Sequence, residues 1–175
     1  AKGVDTSLWV REPELVDLIR SQGENAWYHP GFKLDSRLAV DSDLARVAEN
    51  AQTFLFVVPC QFFRSVLKEV KPLLPRQPAI VCANKGIEIE RKATVSDMVF
   101  DELKELSPRY AILSGPSFAK EVSQGVPTAI VLGCAHEELG KKLQSLFSTD
   151  QFRVYTNPDY RGVELGGAVK NVMAI

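Results

Sequence analysis

The chain has 175 residues, 45% hydrophobic and 25% charged, with a formal net charge of −1. That is apolar material enough for one substantial core, while the balanced charge, without a long basic block, argues against a dedicated nucleic-acid surface. No apolar run is long enough to span a bilayer as a helix, and no signal-peptide pattern is present.

Taken from the N-terminus, residues 4–10 read as a strand and 12–21 as a helix with Leu15, Leu18 and Ile19 on its apolar face. Residues 25–34, with Pro30 and Gly31, read as a loop. A short strand at 38–40 precedes a helix at 43–50 capped by Ser42 or Asp43. Residues 53–58 are a continuous β-branched and aromatic run, the pattern of a strand buried on both faces. Pro59 ends that run, and a helix over 61–74 is stopped by Pro72 and Pro75. Strands at 79–83, 110–114, 128–132 and 152–155 then alternate with helices at 94–106, 117–124, 137–147 and 159–175.

Short buried strands alternating with helices predict the α/β class, with a mainly parallel, doubly wound sheet. The last helix has a different character, long, apolar and glycine-containing with no strand after it. It reads as the first element of a separate helical domain. The chain starts without a methionine and stops inside an apolar run, so it reads as a piece of a longer protein. Cys60, Cys82 and Cys134 are widely spaced, each in or after an apolar run, which predicts buried free thiols in a reducing, cytoplasmic setting. His29 and His136 are far from them and from each other in sequence, so no metal site and no Ser-His-Asp or Cys-His arrangement is expected.

The candidate chemistry lies at strand ends and on the last helix. Gly166 and Gly167 sit together in that helix, each at a cost of roughly 1 kcal/mol relative to alanine, so something should approach the backbone there. Lys170, three and four residues on, shares their face. Both a small polar substrate held by the ammonium and close helix packing with a snorkelling lysine fit this pattern. In open α/β sheets, ligands gather at the carboxyl ends of strands. Arg11, after Leu8-Trp9-Val10, stands where an arginine suits a 2′-phosphate and an acid a ribose hydroxyl. With Glu12 next, the position leans toward NADP without excluding NAD, and a solvated arginine fits equally. Phe56-Val57-Val58-Pro59-Cys60-Gln61 turns from strand to helix. Cys82-Ala83-Asn84-Lys85-Gly86 offers a cation over the cleft, or a surface lysine in a turn. In Ser114-Gly115-Pro116-Ser117-Phe118-Ala119, Gly115 allows close approach and Ser117 can cap a helix whose free N–H groups would hold an anion; plain turn chemistry fits too.

Together these segments, with Tyr28-His29-Pro30-Gly31, Asn84-Lys85-Gly86-Ile87-Glu88, Lys120-Glu121-Val122 and Glu164-Leu165-Gly166-Gly167-Ala168-Val169-Lys170-Asn171-Val172, resemble the bacterial type of NAD(P)-dependent glycerol-3-phosphate dehydrogenase. They fall in family order over nearly the whole chain. The resemblance implies a Rossmann-like NAD(P)-binding domain over residues 1–157 and the start of an all-helical substrate domain over 158–175. The family's Gly-x-Gly-x-x-Gly turn would lie upstream of Ala1. Its further acidic residue and phosphate-gripping Arg-Asn pair would lie beyond Ile175.

The implied reaction is hydride transfer between NADH or NADPH and dihydroxyacetone phosphate, giving sn-glycerol 3-phosphate for phospholipid synthesis. By resemblance Lys170 is the catalytic lysine and Asn171 orients the site. Lys85 touches both substrate and nicotinamide side, Gly115 and Ser117 touch substrate, and Ala119, Arg11 and Tyr28 touch cofactor. The expected partner is a small molecule, with a homodimer also open. Alternatives are another two-domain reductase of the β-hydroxyacid or ketopantoate type, or a non-catalytic nucleotide-binding module. The chain alone, without the pyrophosphate loop, is expected to be inactive.

Overall fold

A computed structural model describes residues 3–170, which fall into two compact units divided after Ala51. The first unit pairs strand β1 (Ser7–Trp9) in parallel with β2 (Ala39–Asp41), and adds helices α1 (Pro13–Gln22) and α2 (Leu44–Ala48). Helix α1 begins with proline in its first turn and ends where Gly23, in the left-handed conformation, donates its N–H to the Ile19 carbonyl. Its buried face, Leu15, Val16 and Ile19, packs with Val10 and Val40. Asp43 caps α2 by accepting the Ala45 and Arg46 N–H groups, which settles the choice between Ser42 and Asp43.

The second unit holds strands β3 (Thr53–Phe56), β4 (Ala79–Cys82), β5 (Arg109–Ser114), β6 (Thr128–Gly133) and β7 (Phe152–Asn157), hydrogen-bonded in that order. Neighbours are parallel except β5 and β6. Helices α3 (Cys60–Val70), α4 (Val95–Leu103), α5 (Ala119–Ser123), α6 (Glu137–Phe147) and α7 (Tyr160–Val169) intervene. Alternate residues of a strand face opposite sides. Val81, Ala111, Leu113, Ile130 and Leu132 pack with Leu139 and Leu143 of α6. On the other side, Tyr110 meets Phe100 of α4 and Tyr160 of α7, with ring centroids 5.8 and 5.4 Å away. Helices on both faces make this unit the expected doubly wound, mainly parallel sheet.

Several details differ from expectation. β3 is not buried on both faces: Leu55 is 47% exposed, because the strand lies at one edge of the five-stranded sheet. The helices expected over 61–74 and 94–106 each tighten at the end into a short 3₁₀ turn, Lys71–Leu73 and Lys104–Leu106. The helix expected from 117 begins only at Ala119. Among the described residues, no helix is long and apolar enough to cross a membrane.

Candidate active site

The parallel strands β4 and β5 end at the same edge of the sheet, and two of the expected site residues follow them directly. Lys85, in the turn after β4, is half-buried and donates from Nζ to the Gly115 carbonyl at 2.9 Å. The Ser117 N–H donates to the same oxygen at 3.0 Å. Gly115 has to be glycine, since a Cβ there would stand 2.9 Å from Ile130 Cγ2 and 3.0 Å from its Cα. The Gly115 carbonyl is therefore a fixed acceptor that holds the Lys85 ammonium at the strand ends.

Ser117 does not cap a helix. Phe118 occupies the N-cap position of α5 and has no polar side chain to cap it, while the Ser117 N–H turns back to Gly115. With only five residues, α5 makes too short a helix for the expected anion-binding end. Ala119, its first residue, is exposed.

Lys170 follows α7 as its C-cap residue, exposed, with Nζ 5.6 Å from the centroid of the Phe118 ring. That distance suits a cation–π contact. The two glycines of α7 have different surroundings. A Cβ on Gly167 would stand 2.5 Å from Ser114 Oγ, whereas one on Gly166 would meet nothing within 4 Å. Close approach is thus real at Gly167, where the helix backbone presses on the end of β5, and Gly166 faces open space.

The packing brings Lys170 near Lys85. Burial first, and the Lys170 charge second, lower the Lys85 ammonium below its ordinary pKa. Beside Lys85, Asn84 is 5% exposed; its Nδ2 donates to the Val58 carbonyl at 2.7 Å, and its Oδ1 is buried without a hydrogen-bond partner among the described residues.

The unit thus gathers Lys85, Gly115, Ser117 and Lys170. Sequence reasoning gave no role to Phe118, the aromatic partner of Lys170, or to Ser114, which α7 packs against. Phe118 had a usable signal: a large aromatic inside a Gly-Pro-Ser turn, 59% exposed in the fold. Asn171 lies outside the described residues. Arg11 and Tyr28 belong to the first unit. Arg11 is exposed two residues after β1, and Tyr28, 68% exposed, donates its hydroxyl to Glu12 Oε1 at 3.4 Å.

All three cysteines are free and buried, and burial pushes their thiols up, most strongly at Cys82. No group of three or more His, Cys, Asp or Glu side chains among the described residues is placed to hold a metal.

A family model described as the NAD-dependent glycerol-3-phosphate dehydrogenase N-terminus matches residues 1–140. The chain is 54% identical over 174 residues to a glycerol-3-phosphate dehydrogenase, NAD(P)+, of Maridesulfovibrio salexigens, covering 99% of this chain and 53% of that protein. A protein of the same name from Nitratidesulfovibrio vulgaris is 51% identical with the same coverage. The crystal structure of glycerol-3-phosphate dehydrogenase from Coxiella burnetii superposes with a TM-score of 0.92 at 34% identity, over 99% of this chain and 52% of that one. The chain spans about half the length of the curated relatives it matches.

Proposed function

Because the chain belongs to the NAD-dependent glycerol-3-phosphate dehydrogenase family, matching its N-terminal part, we propose that the protein containing it is the dehydrogenase. It reversibly reduces dihydroxyacetone phosphate with NADH or NADPH, and the sn-glycerol 3-phosphate formed serves phospholipid synthesis. The observation that carries this reading is the pair of lysines at one sheet edge, with Lys85 tied to Gly115 and its pKa lowered by burial first and by the nearby charge of Lys170 second. A purely structural nucleotide-binding sheet has no use for two ammonium groups brought together.

The residues present fit a polar planar cofactor over the ends of β4 and β5. Asn84 Oδ1 is a buried acceptor with no partner among the described residues, and Gly115 offers bare backbone. The nicotinamide, when bound, supplies the hydride. Lys170 gives a proton to the ketone oxygen and takes it back in reverse. While charged, it also polarises the carbonyl and stabilises the developing alkoxide. Lys85 adds a second cation for the phosphorylated substrate, and Gly115 and Ser117 shape the floor on which it lies. Arg11, Tyr28 and Ala119 are read as cofactor contacts and Asn171 as an orienting residue.

In the same reading, residues 1–157 form the cofactor domain and 158–175 open the substrate domain. The enzyme is cytoplasmic, in keeping with its buried free thiols, and a homodimer is its assembly. The test is nicotinamide oxidation by the full-length protein with dihydroxyacetone phosphate. Turnover with NADH or NADPH is expected. A folded protein that binds cofactor but shows no turnover with either would overturn the proposal.

A further inference from the structure

The turn that carries Lys85 is gripped from helix α3. The Gln61 side-chain amide donates from Nε2 to the Ile87 carbonyl at 3.0 Å and accepts the Ile89 N–H on Oε1 at 3.1 Å. It thereby pairs with that stretch of backbone as a neighbouring strand would. Three residues along the helix, on the same side, Arg64 meets Glu88 with two parallel bonds, Nε to Oε1 at 2.7 Å and Nη2 to Oε2 at 2.8 Å. Its remaining nitrogen, Nη1, reaches Glu102 of α4 at 2.8 Å and Asp101 at 3.5 Å. The Arg64 and Glu88 side chains are 8% and 9% exposed.

The turn is also tied at its start and closed on itself. Asn84 is anchored to the Val58 carbonyl, and the Glu88 N–H donates to the Ala93 carbonyl at 2.8 Å. Gly86 lies against Cys60, where an added Cβ would be 3.5 Å from the cysteine Cβ. Lys85 is the member of this turn whose side chain bonds instead to the residue after β5, at the Gly115 carbonyl.

A buried ion pair contributes little net stability once the desolvation of both charges is counted, yet its bidentate geometry specifies position. Resting on the reading of Lys85 as a substrate-contacting residue, we propose that Gln61 and Arg64 are positioning residues for it. They fix the turn from Asn84 to Ile89 so that the Lys85 ammonium stands at the Gly115 carbonyl, where the substrate is held.

The test uses the full-length enzyme carrying Gln61→Met, Lys85→Ala, or both. Gln61 is exposed, so methionine there leaves its own site without a buried unpaired group. In the wild-type background, Gln61→Met is expected to lower kcat/KM for dihydroxyacetone phosphate about tenfold, with the cofactor KM held within about twofold. In the Lys85→Ala background the same substitution should change kcat/KM by less than about twofold, since it acts through the missing lysine. An equal cost in both backgrounds, or no cost in the first, overturns the proposal.

Glu88→Gln weakens the Arg64 grip without emptying its site and is expected to follow the same pattern. A lowered thermal midpoint with kcat/KM intact would overturn the role of Arg64. Amide exchange at Ile89, whose N–H Gln61 accepts, reads the grip without any substrate. It should quicken in Gln61→Met, and unchanged exchange overturns the grip. A wild-type enzyme that fails to turn over dihydroxyacetone phosphate would overturn the assigned reaction instead, leaving the exchange result to decide whether Gln61 holds the turn.

Discussion

The Glu164 carboxylate accepts the Ser96 backbone N–H on Oε1 and the Ser96 hydroxyl on Oε2, each at 2.7 Å. Ser96 is the second residue of α4, so its N–H is one that the helix itself leaves unpaired. Tyr110 of β5 adds its hydroxyl to Oε1 at 3.2 Å. One buried acid of α7 thus caps another helix and ties both to the sheet. It lies six positions before Lys170 and three before Gly167, so it sets the rotation at which α7 meets β5.

Removing that acid should be costly. Glu164→Ala leaves the Ser96 N–H and the Tyr110 hydroxyl buried without their partner, while the Ser96 hydroxyl keeps Thr94 Oγ1 at 3.0 Å, and a loss of about 3 kcal/mol is expected from urea unfolding of the full-length protein. Tyr110→Phe deletes only the longest of the three bonds and should cost about 1 kcal/mol. Equal losses would mean that the carboxylate is not the hub of the contact.

The adjacent glycines give opposite expectations. Gly166→Ala meets open space and should stabilise α7 by about 1 kcal/mol through helix propensity. Gly167→Ala drives a methyl into Ser114 and should destabilise by about 1–3 kcal/mol. Ser114→Ala added to Gly167→Ala should recover part of that loss. Thermal midpoints of the three variants decide the matter, and a matching response at the two glycines would contradict the packing.

Lys85 carries a pH dependence whose sign follows from its lowered pKa. At pH below the folded value, the ammonium is charged in both states and the burial cost is fully present. As pH rises toward the unfolded value, the folded chain has released a proton that the unfolded chain still holds, so the cost fades. Compared with Lys85→Met, the wild-type protein should therefore gain stability as pH rises toward the ordinary lysine value of about 10. A difference in urea midpoint that stays flat or moves the other way over that range would contradict the placement of Lys85.

Much of this was legible in the residues. The alternation of apolar strands with amphipathic helices pointed to the layered sheet, and α6 falls where its apolar spacing puts it, Glu137–Phe147. Lys85 and Gly115 drew notice because each stands in a loop just past a strand, and Lys170 through helical spacing that sets it on the face of Gly166 and Gly167. What stayed hidden depends on contacts between elements distant in sequence. Nothing in the apolar character of Thr53–Phe56 distinguishes an edge strand from a central one, so the exposure of Leu55 appeared only with the sheet order. Ser117 looked like a cap because serine often is one, but the helix starts at Ala119 and puts Phe118 at the N-cap position. The Arg64–Glu88 pair spans 24 positions and Glu164–Ser96 spans 68, separations at which no local pattern operates.

The most direct test of the central claim is steady-state kinetics of the full-length enzyme beside its Lys170→Ala variant, with dihydroxyacetone phosphate and NADH or NADPH. If Lys170 moves the proton, kcat should fall about a thousandfold while cofactor affinity and the thermal midpoint stay near those of the wild type. A variant that keeps its kcat, or loses it only together with cofactor binding, would contradict the account.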